Sequence, residues 1–158
     1  MQQQLSIGIT DKAREEIVSI LGKILADEYV LYTKTRNYHW NVVGPHFSEY
    51  HKLFAEQYGS LDDDIDEIAE RIRSLGEKTP STLVEFSKSS RIQEHPGAYQ
   101  DALAMVLNLL SDHEAIIRAL RSDIESCEKH GDAGTTDFLT GLLEKHEKTA
   151  WMLRSIVE

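Results

Sequence analysis

The chain has 158 residues, 41% hydrophobic and 28% charged, a composition typical of a globular protein with one core. Its 27 acidic and 17 basic side chains give a formal net charge of −10, which opposes nucleic-acid binding because that binding depends mainly on Lys and Arg side chains that neutralise phosphates. It has no apolar run long enough to span a membrane and no secretion signal, and its one cysteine, Cys127, cannot form an intrachain disulfide, so we expect a cytoplasmic protein.

Hydrophobic periodicity predicts two long helices in the first half of the chain. The first begins at Thr10 or Asp11, since either side chain can cap exposed backbone N–H groups, and the second runs from about Phe47 to Leu75. Gly44-Pro45 separates them and Gly76 ends the second. Apolar residues of the second helix alternate at spacings of four and three, as in a helix-bundle seam: Phe54, Tyr58, Leu61, Ile65, Ile68, Ile72 and Leu75.

The second half of the chain predicts two further helices after a polar connection. The connection covers residues 76–96 and contains the apolar residues Leu83, Val84 and Phe86. A third long helix is predicted from about Gly97 to Lys129, and a fourth from Thr135 to Val157. The stripe of the third helix includes Leu103, Val106, Leu110, His113, Ile117, Leu120, Ile124 and Cys127. No segment shows convincing strand alternation, so we predict an all-α four-helix bundle in which the long middle connection forms a crossover.

Four potential metal ligands have a spacing that one chain cannot bring together. His39 lies near the end of the first predicted helix and His51 near the start of the second, whereas Asp66 and Glu70 lie one turn apart towards the second helix's far end. From position 51 to position 66 a helix rises about 22 Å, at 1.5 Å per residue, so its two ends cannot share a metal. Two copies that cross antiparallel about a twofold axis would place His51 of one beside Asp66 and Glu70 of the other.

The alternative interpretation is a solvated acidic helix face. Helix geometry places Asp66 and Glu70 roughly 130° and 170° from the centre of the apolar stripe, among other exposed acidic residues. Three features favour the crossing. His51 lies on the same flank of the helix as Asp62 and Asp66, Gly59-Ser60 lies midway between His51 and Asp66, and the hairpin returns His39 to the side of His51. Two imidazoles and two carboxylates suit Fe(II) and also zinc.

A second group of polar residues is predicted inside the bundle. His113 and His146 lie on core stripes at mid-helix, roughly level with Glu28. The usual two-metal site in such a core takes Glu-x-x-His from each of two helices, and no histidine here has a glutamate three residues before it. We therefore predict a buried hydrogen-bonded cluster rather than a metal site.

Motifs of one known family run through nearly the whole chain. They are His39-Trp40-Asn41, His51, the run Asp66-Glu67-Ile68-Ala69-Glu70-Arg71, Leu75-Gly76, Asp137-Phe138-Leu139 and Trp151. In these motifs the chain resembles the Dps miniferritins. The resemblance implies a single ferritin-like domain over residues 1–158, a short helix within the long crossover, and a homo-oligomer of twelve subunits built from dimers.

The resemblance also implies an iron-oxidising centre at each twofold interface. His39 and His51 of one subunit and Asp66 and Glu70 of its neighbour would bind iron, with Trp40 beside them. Fe(II) would be oxidised by hydrogen peroxide or by dioxygen, and ferric mineral stored inside the shell. The acidic threefold pores of the family match two further residues, Asp132 and Asp137, which would draw Fe(II) inward, although Asp132 also suits a plain turn.

Two departures from the family pattern change these expectations. Ala55 stands where relatives often have a carboxylate, so the second iron is expected to be held weakly, through water, or by a neighbour such as Asp63. Residues 1–11 contain no Lys or Arg, whereas many relatives bind DNA through a lysine-rich tail, so we expect weak DNA binding or none. The alternatives are non-enzymatic zinc sequestration, a DNA-protecting stress protein, and a plain bundle with an acidic face.

Overall fold

Five helices form the part of the chain that the computed structural model describes, residues 5–158. They are α1 (Asp11–Asn41), α2 (Phe47–Ser74), α3 (Leu83–Ser89), α4 (Ala102–Lys129) and α5 (Ala133–Val157). The expectation of weak or absent DNA binding rests on residues 1–11, of which residues 1–4 lie outside the described range. No strand occurs within that range, and no helix in it is long and apolar enough to cross a membrane.

The four long helices pack as two hairpins, α1 with α2 and α4 with α5. Helix α1 also packs against α4, and α2 against α5, so the hairpins close into one bundle. The connection from α2 to α4 carries the short helix α3, which packs on α1. The predicted all-α bundle, with its long crossover and short helix, is therefore confirmed.

The crossover is attached to α1 by one buried carboxylate. Asp27 is 1% exposed and accepts hydrogen bonds from the backbone N–H of Arg91 (2.5 Å), from Arg91 Nε (2.7 Å) and from Ser90 Oγ (3.1 Å). The ring of Phe86 stacks on Tyr29 with 4.4 Å between centroids. These contacts hold the connection along α1, so the two hairpins keep their relative positions.

Two predicted helix starts were wrong, each because an aspartate caps the helix. Helix α4 begins at Ala102 rather than Gly97, since Asp101 accepts from the backbone N–H of Ala104 at 2.9 Å. Leu103, predicted on the core stripe of that helix, is 50% exposed. Helix α5 begins at Ala133, two residues before the predicted Thr135, because the preceding Asp132 is its N-cap.

Candidate metal centre

The turn between α1 and α2 brings two histidine rings into contact. Gly44 (φ 101°) and His46 (φ 62°) adopt left-handed backbone conformations that reverse the chain within five residues of the end of α1. The rings of His39 and His51 then stack with 3.7 Å between centroids and 23° between planes. Both side chains are partly buried. The prediction that the hairpin returns His39 to His51 is confirmed.

Hydrogen bonds to the backbone orient both rings. His39 Nδ1 lies 2.7 Å from the carbonyl oxygen of His51, and His51 Nδ1 lies 2.8 Å from the carbonyl oxygen of His39. Because a carbonyl oxygen only accepts, Nδ1 carries the proton in each ring, and Nε2 of each neutral ring keeps its lone pair. A histidine held through one ring nitrogen is oriented to bind metal through the other. Each ring therefore presents a nitrogen that could bind a metal ion.

An aromatic cluster lies against the histidine pair. The Tyr58 ring meets His39 edge-on, 5.3 Å between centroids, and the Arg36 guanidinium lies 5.1 Å from the Tyr58 ring centroid and 4.9 Å from that of Trp40. Trp40 is 64% exposed. The sequence predicted Trp40 beside the histidines but not Arg36 or Tyr58. Their spacing could have indicated them, because Arg36 lies one helical turn before His39 and Tyr58 lies two turns after His51.

The carboxylates of the predicted centre lie on the outer face of α2. Asp63, Asp66 and Glu70 are exposed, whereas Ile68 and Ile72 on the same helix are fully buried. In residues 5–158 none of the three carboxylates forms a hydrogen bond or an ion pair, and no group of three or more His, Cys, Asp or Glu side chains could hold a metal. One chain thus brings His39 and His51 together but does not bring the carboxylates to them.

The two aspartates assigned to a pore have different environments. Asp137 is exposed on the first turns of α5. Asp132 is 3% exposed; Arg71 Nη2 donates to its Oδ1 at 3.0 Å, and the Thr135 backbone N–H donates to the same atom at 3.0 Å. Burial by itself raises the pKa of Asp132, but the hydrogen bonds from Thr135 and the charge of Arg71 outweigh it and lower the pKa below its usual value. Within this chain Asp132 caps a helix, and its pore role stays a prediction.

The predicted buried cluster in the bundle core is confirmed as a hydrogen-bonded chain. Glu28 is fully buried, and its Oε1 lies 2.8 Å from His146 Nε2. The other nitrogen of that ring, Nδ1, lies 2.8 Å from His113 Nδ1. Because His146 bonds Glu28 and His113 through opposite sides of its ring, the three side chains form a line and do not converge on one metal.

Comparisons with known proteins agree with the fold and the motifs. A ferritin family model, described as a ferritin-like domain, matches residues 18–158. The chain is 46% identical over 156 residues to an uncharacterized low temperature-induced protein of Nostoc sp. strain PCC 7120, covering 98% of this chain and 87% of that protein. It is 39% identical over 144 residues to DNA protection during starvation protein 2 of Bacillus anthracis, covering 90% of this chain and 97% of that one.

A solved structure extends the comparison to the whole bundle. DpsC from Streptomyces coelicolor matches with a TM-score of 0.95 at 26% identity, covering 99% of this chain and 91% of that one. The family match, the sequence relatives and the structural likeness agree. This chain therefore belongs to the Dps family of ferritin-like proteins, whose members typically store iron or protect DNA.

Proposed function

We propose that this protein oxidises Fe(II) at a centre formed between two copies of the chain and stores the ferric product inside a shell of twelve copies. The observation that carries the proposal is the His39–His51 pair. The hydrogen bonds engage Nδ1 of each ring and leave Nε2 free of them, and imidazole nitrogen is a good ligand for Fe(II). A pair held this way by the backbone of one chain needs only carboxylates to complete a metal site.

The carboxylates are proposed to come from a second copy. Asp66 and Glu70 are exposed on the same helix as His51, about 22 Å and more along its axis. An antiparallel crossing of two α2 helices about a twofold axis makes two equivalent sites, each with histidines from one chain and carboxylates from the other. Gly59 lies near the midpoint, and a methyl group added there would meet nothing within 4 Å beyond the backbone of its own helix turn and its two neighbours in the chain. The surface is therefore open to a close approach of a second helix at that point.

The chemistry follows from the ligands. Fe(II), the substrate, would bind to neutral imidazole and ionised carboxylate. Two Fe(II) ions each give one electron to one hydrogen peroxide, which with two further waters yields two FeOOH and four protons. A paired two-electron reduction releases no hydroxyl radical. Ala55 offers no ligand, and Asp63, exposed one turn from Asp66, is the neighbour proposed to support the second iron.

Entry of Fe(II) is proposed to depend on the start of α5. Asp137 is exposed there, and acidic side chains brought together around a symmetry axis attract cations. Asp132 is buried and paired with Arg71, so we propose that it holds the start of α5 in place while Asp137 faces the pore.

The test is iron oxidation by peroxide added after anaerobic loading with Fe(II). Wild type should oxidise Fe(II) quickly to a soluble product, and His51→Ala should be slower by at least about tenfold. His95→Ala, which removes an exposed loop histidine, is the matched control and should behave as wild type. Equal, slow oxidation with precipitation in all three proteins would reject the centre, and zinc binding at the same residues would then be tested.

DNA protection, which some relatives carry in their names, is not part of the proposal. The net charge of −10 opposes binding to phosphates, and no observation on this chain favours it. A DNA gel shift across a salt series would distinguish the two activities, because retardation that persists at physiological salt would support a DNA-protecting protein instead.

A further inference from the structure

The Glu28–His146–His113 chain lies apart from the proposed iron centre. Glu28 belongs to α1, His113 to α4 and His146 to α5, whereas the metal-binding residues lie at the α1–α2 turn and on the outer face of α2. Each of the two histidines is 2% exposed. Burying three ionisable side chains is costly unless they form hydrogen bonds with one another. The positions of the protons along this line of hydrogen bonds therefore decide whether each side chain is satisfied.

With Glu28 ionised, the hydrogen bonds leave two consistent proton arrangements. An ionised Glu28 can only accept, so His146 Nε2 carries a proton in both arrangements. If His146 is neutral, its Nδ1 accepts from His113 Nδ1–H, and His113 Nε2 keeps a bare lone pair. If His146 is doubly protonated, its Nδ1–H donates to His113 Nδ1, and His113 Nε2 carries the proton. The two arrangements differ by one proton, and His113 Nε2 is an acceptor in one and a donor in the other.

His113 lines a small cavity. The cavity has a volume of about 30 Å³, and its lining includes His113, His146 and Gln57. His113 and Gln57 each have a buried side-chain atom without a hydrogen-bond partner in residues 5–158: His113 Nε2 and Gln57 Oε1. The volume is enough for one water, which needs roughly 10–15 Å³ and two or more polar partners, and these two unpartnered atoms are the candidate partners. A partner that fits His113 Nε2 in both arrangements must be able to donate and to accept, as water does and a metal ion does not.

The cavity adjoins the outer surface of the bundle. Ser60 and Lys145 line both the cavity and an acidic groove on the outside of α2. We call the boundary formed by Ser60 and Lys145 the rim. At this rim Lys145 Nζ donates to Asp64 at 2.5 Å. Lys145 is partly exposed, so the rim is a place where a water inside the cavity and solvent outside come close.

We propose that the cavity beside His113 is a water site through which the Glu28–His146–His113 chain takes up and releases one proton. In uptake, the water gives a proton to His113 Nε2 and receives one from solvent. The proton on His113 Nδ1 passes to His146 Nδ1, and His146 keeps its bond to Glu28. Release is the reverse, and neither ring has to turn. The inference goes beyond iron oxidation and does not rest on it.

The charged groups around the Glu28–His146–His113 chain favour His146 as the residue that holds the single proton. The charged groups that face it are Glu28 from α1, Asp64 from α2 and Lys145 from α5, while α4 contributes His113. Burial lowers the pKa of both rings. For His146 the carboxylate of Glu28 outweighs burial and raises the pKa, whereas burial and the neighbouring His146 keep the pKa of His113 well below its usual value. When the three side chains hold one extra proton, these shifts favour His146 over His113 as the ring that carries it.

The test is solid-state NMR of the sedimented full-length protein with ¹⁵N-labelled histidine, from about pH 5 to pH 10. We expect one step in which the two rings change together: on lowering the pH, His146 Nδ1 gains a proton while the His113 proton moves from Nδ1 to Nε2. Glu28→Gln should move this step to lower pH, and His130→Asn, which removes a partly exposed histidine paired with Glu16, should leave it unchanged. A His113 Nε2 signal that stays constant across the whole range would overturn the proposal.

A second variant tests the cavity as the route. Gln57→Leu removes the water's second partner and leaves the three-residue chain intact, so exchange of the ring protons with deuterated solvent should slow by about tenfold or more. Gln93→Leu, on an exposed part of the crossover, is the matched control and should exchange as wild type. Equal exchange in Gln57→Leu and wild type would reject the cavity as the route.

Discussion

His39 and His51 each donate from Nδ1 to the main-chain carbonyl of the other, at 2.7 and 2.8 Å. Metal-binding histidines usually depend on a carboxylate or carbonyl elsewhere to set the ring orientation. Here the partner histidine's own backbone does this, so half of the proposed centre is formed in the single chain. The other half, the exposed carboxylates Asp66 and Glu70, requires a second copy.

Removing the Asp132 carboxylate is predicted to destabilise the chain. Asp132→Ala removes the cap of α5, about 1 kcal/mol, and leaves Arg71 without its carboxylate partner, so the free energy of unfolding should fall by roughly 2–4 kcal/mol. Because the pKa of Asp132 is lowered, its contribution is present above about pH 4 and is lost as the pH falls through the folded-state value.

Urea unfolding at fixed protein concentration measures this effect. Asp137→Ala, five residues further along α5 and exposed, is the control and should change the free energy by about 0.5 kcal/mol or less. Similar losses in the two variants would mean that the Arg71–Asp132 pair contributes no more than a surface residue.

Gly59→Ala tests where two α2 helices cross. Within one chain the added methyl group meets nothing within 4 Å beyond the backbone of its own helix turn and its two neighbours, and alanine favours helix by about 1 kcal/mol over glycine, so an isolated chain should become more stable. At a close crossing the methyl group would instead strike the second copy and weaken assembly. Sizing chromatography distinguishes weakened assembly from a more stable isolated chain. Gly141→Ala, at another open helical position, is the control. Normal assembly of Gly59→Ala would place the crossing elsewhere.

Helix periodicity predicted a helix boundary well where a clear sequence signal, such as a glycine, marks that boundary. The four–three spacing gave α2 within one residue of its observed end, because the apolar stripe stops at Leu75 and Gly76 adopts φ 88°. The start of α4 was predicted five residues early. Gly97 has a left-handed φ of 75°, and the hydrogen bond from Ala104 N–H to the Asp101 side chain marks the later start of the helix.

The site was predicted less completely, since its contacts join residues distant in sequence. The contact of His39 with His51 followed from the hairpin, but their reciprocal bonds use backbone carbonyls, which carry no sequence signal. Asp132 has the spacing of a pore residue relative to Asp137, yet Arg71, 61 positions earlier, occupies its carboxylate. The linear order of the core cluster likewise depends on how three helices pack.

Trp40→Phe is predicted to increase radical escape during iron oxidation. The indole is next to His39 in sequence and is 64% exposed, so it is placed to supply an electron when only one iron is bound. Spin-trap yield during peroxide turnover should rise in this variant at an unchanged rate of Fe(II) oxidation. Trp151→Phe, an exposed tryptophan on α5, is the control, and equal yields in all three proteins would exclude this role for Trp40.

The core cluster is predicted to give a stability contribution that peaks near pH 6.5. Above that value His146, with its raised pKa, keeps a proton that the unfolded chain has lost, so the contribution falls as the pH rises through the folded-state pKa. Below about pH 6.5 the unfolded chain protonates His113 while the folded chain does not, so stability falls by up to about 1.4 kcal/mol per pH unit.

Urea midpoints of wild type and Glu28→Gln from about pH 5 to pH 9 test this dependence. In Glu28→Gln the loss of stability above about pH 6.5 should disappear, because the carboxylate that holds the proton on His146 is gone. The difference between the urea midpoints of wild type and Glu28→Gln should therefore shrink as the pH rises. A difference that is constant with pH would show that Glu28 does not hold a proton on His146.

The sharing of one centre by two chains is tested most directly by mixing two inactive variants. His51→Ala and Asp66→Ala should each abolish fast Fe(II) oxidation when assembled alone. In shells co-assembled from equal amounts, a mixed pair contains one intact centre, with the histidines of the Asp66→Ala chain and the carboxylates of the His51→Ala chain. Random pairing should therefore restore about a quarter of the wild-type activity per chain. No recovery in co-assembled shells, with both variants assembling normally, would contradict a centre built from two subunits.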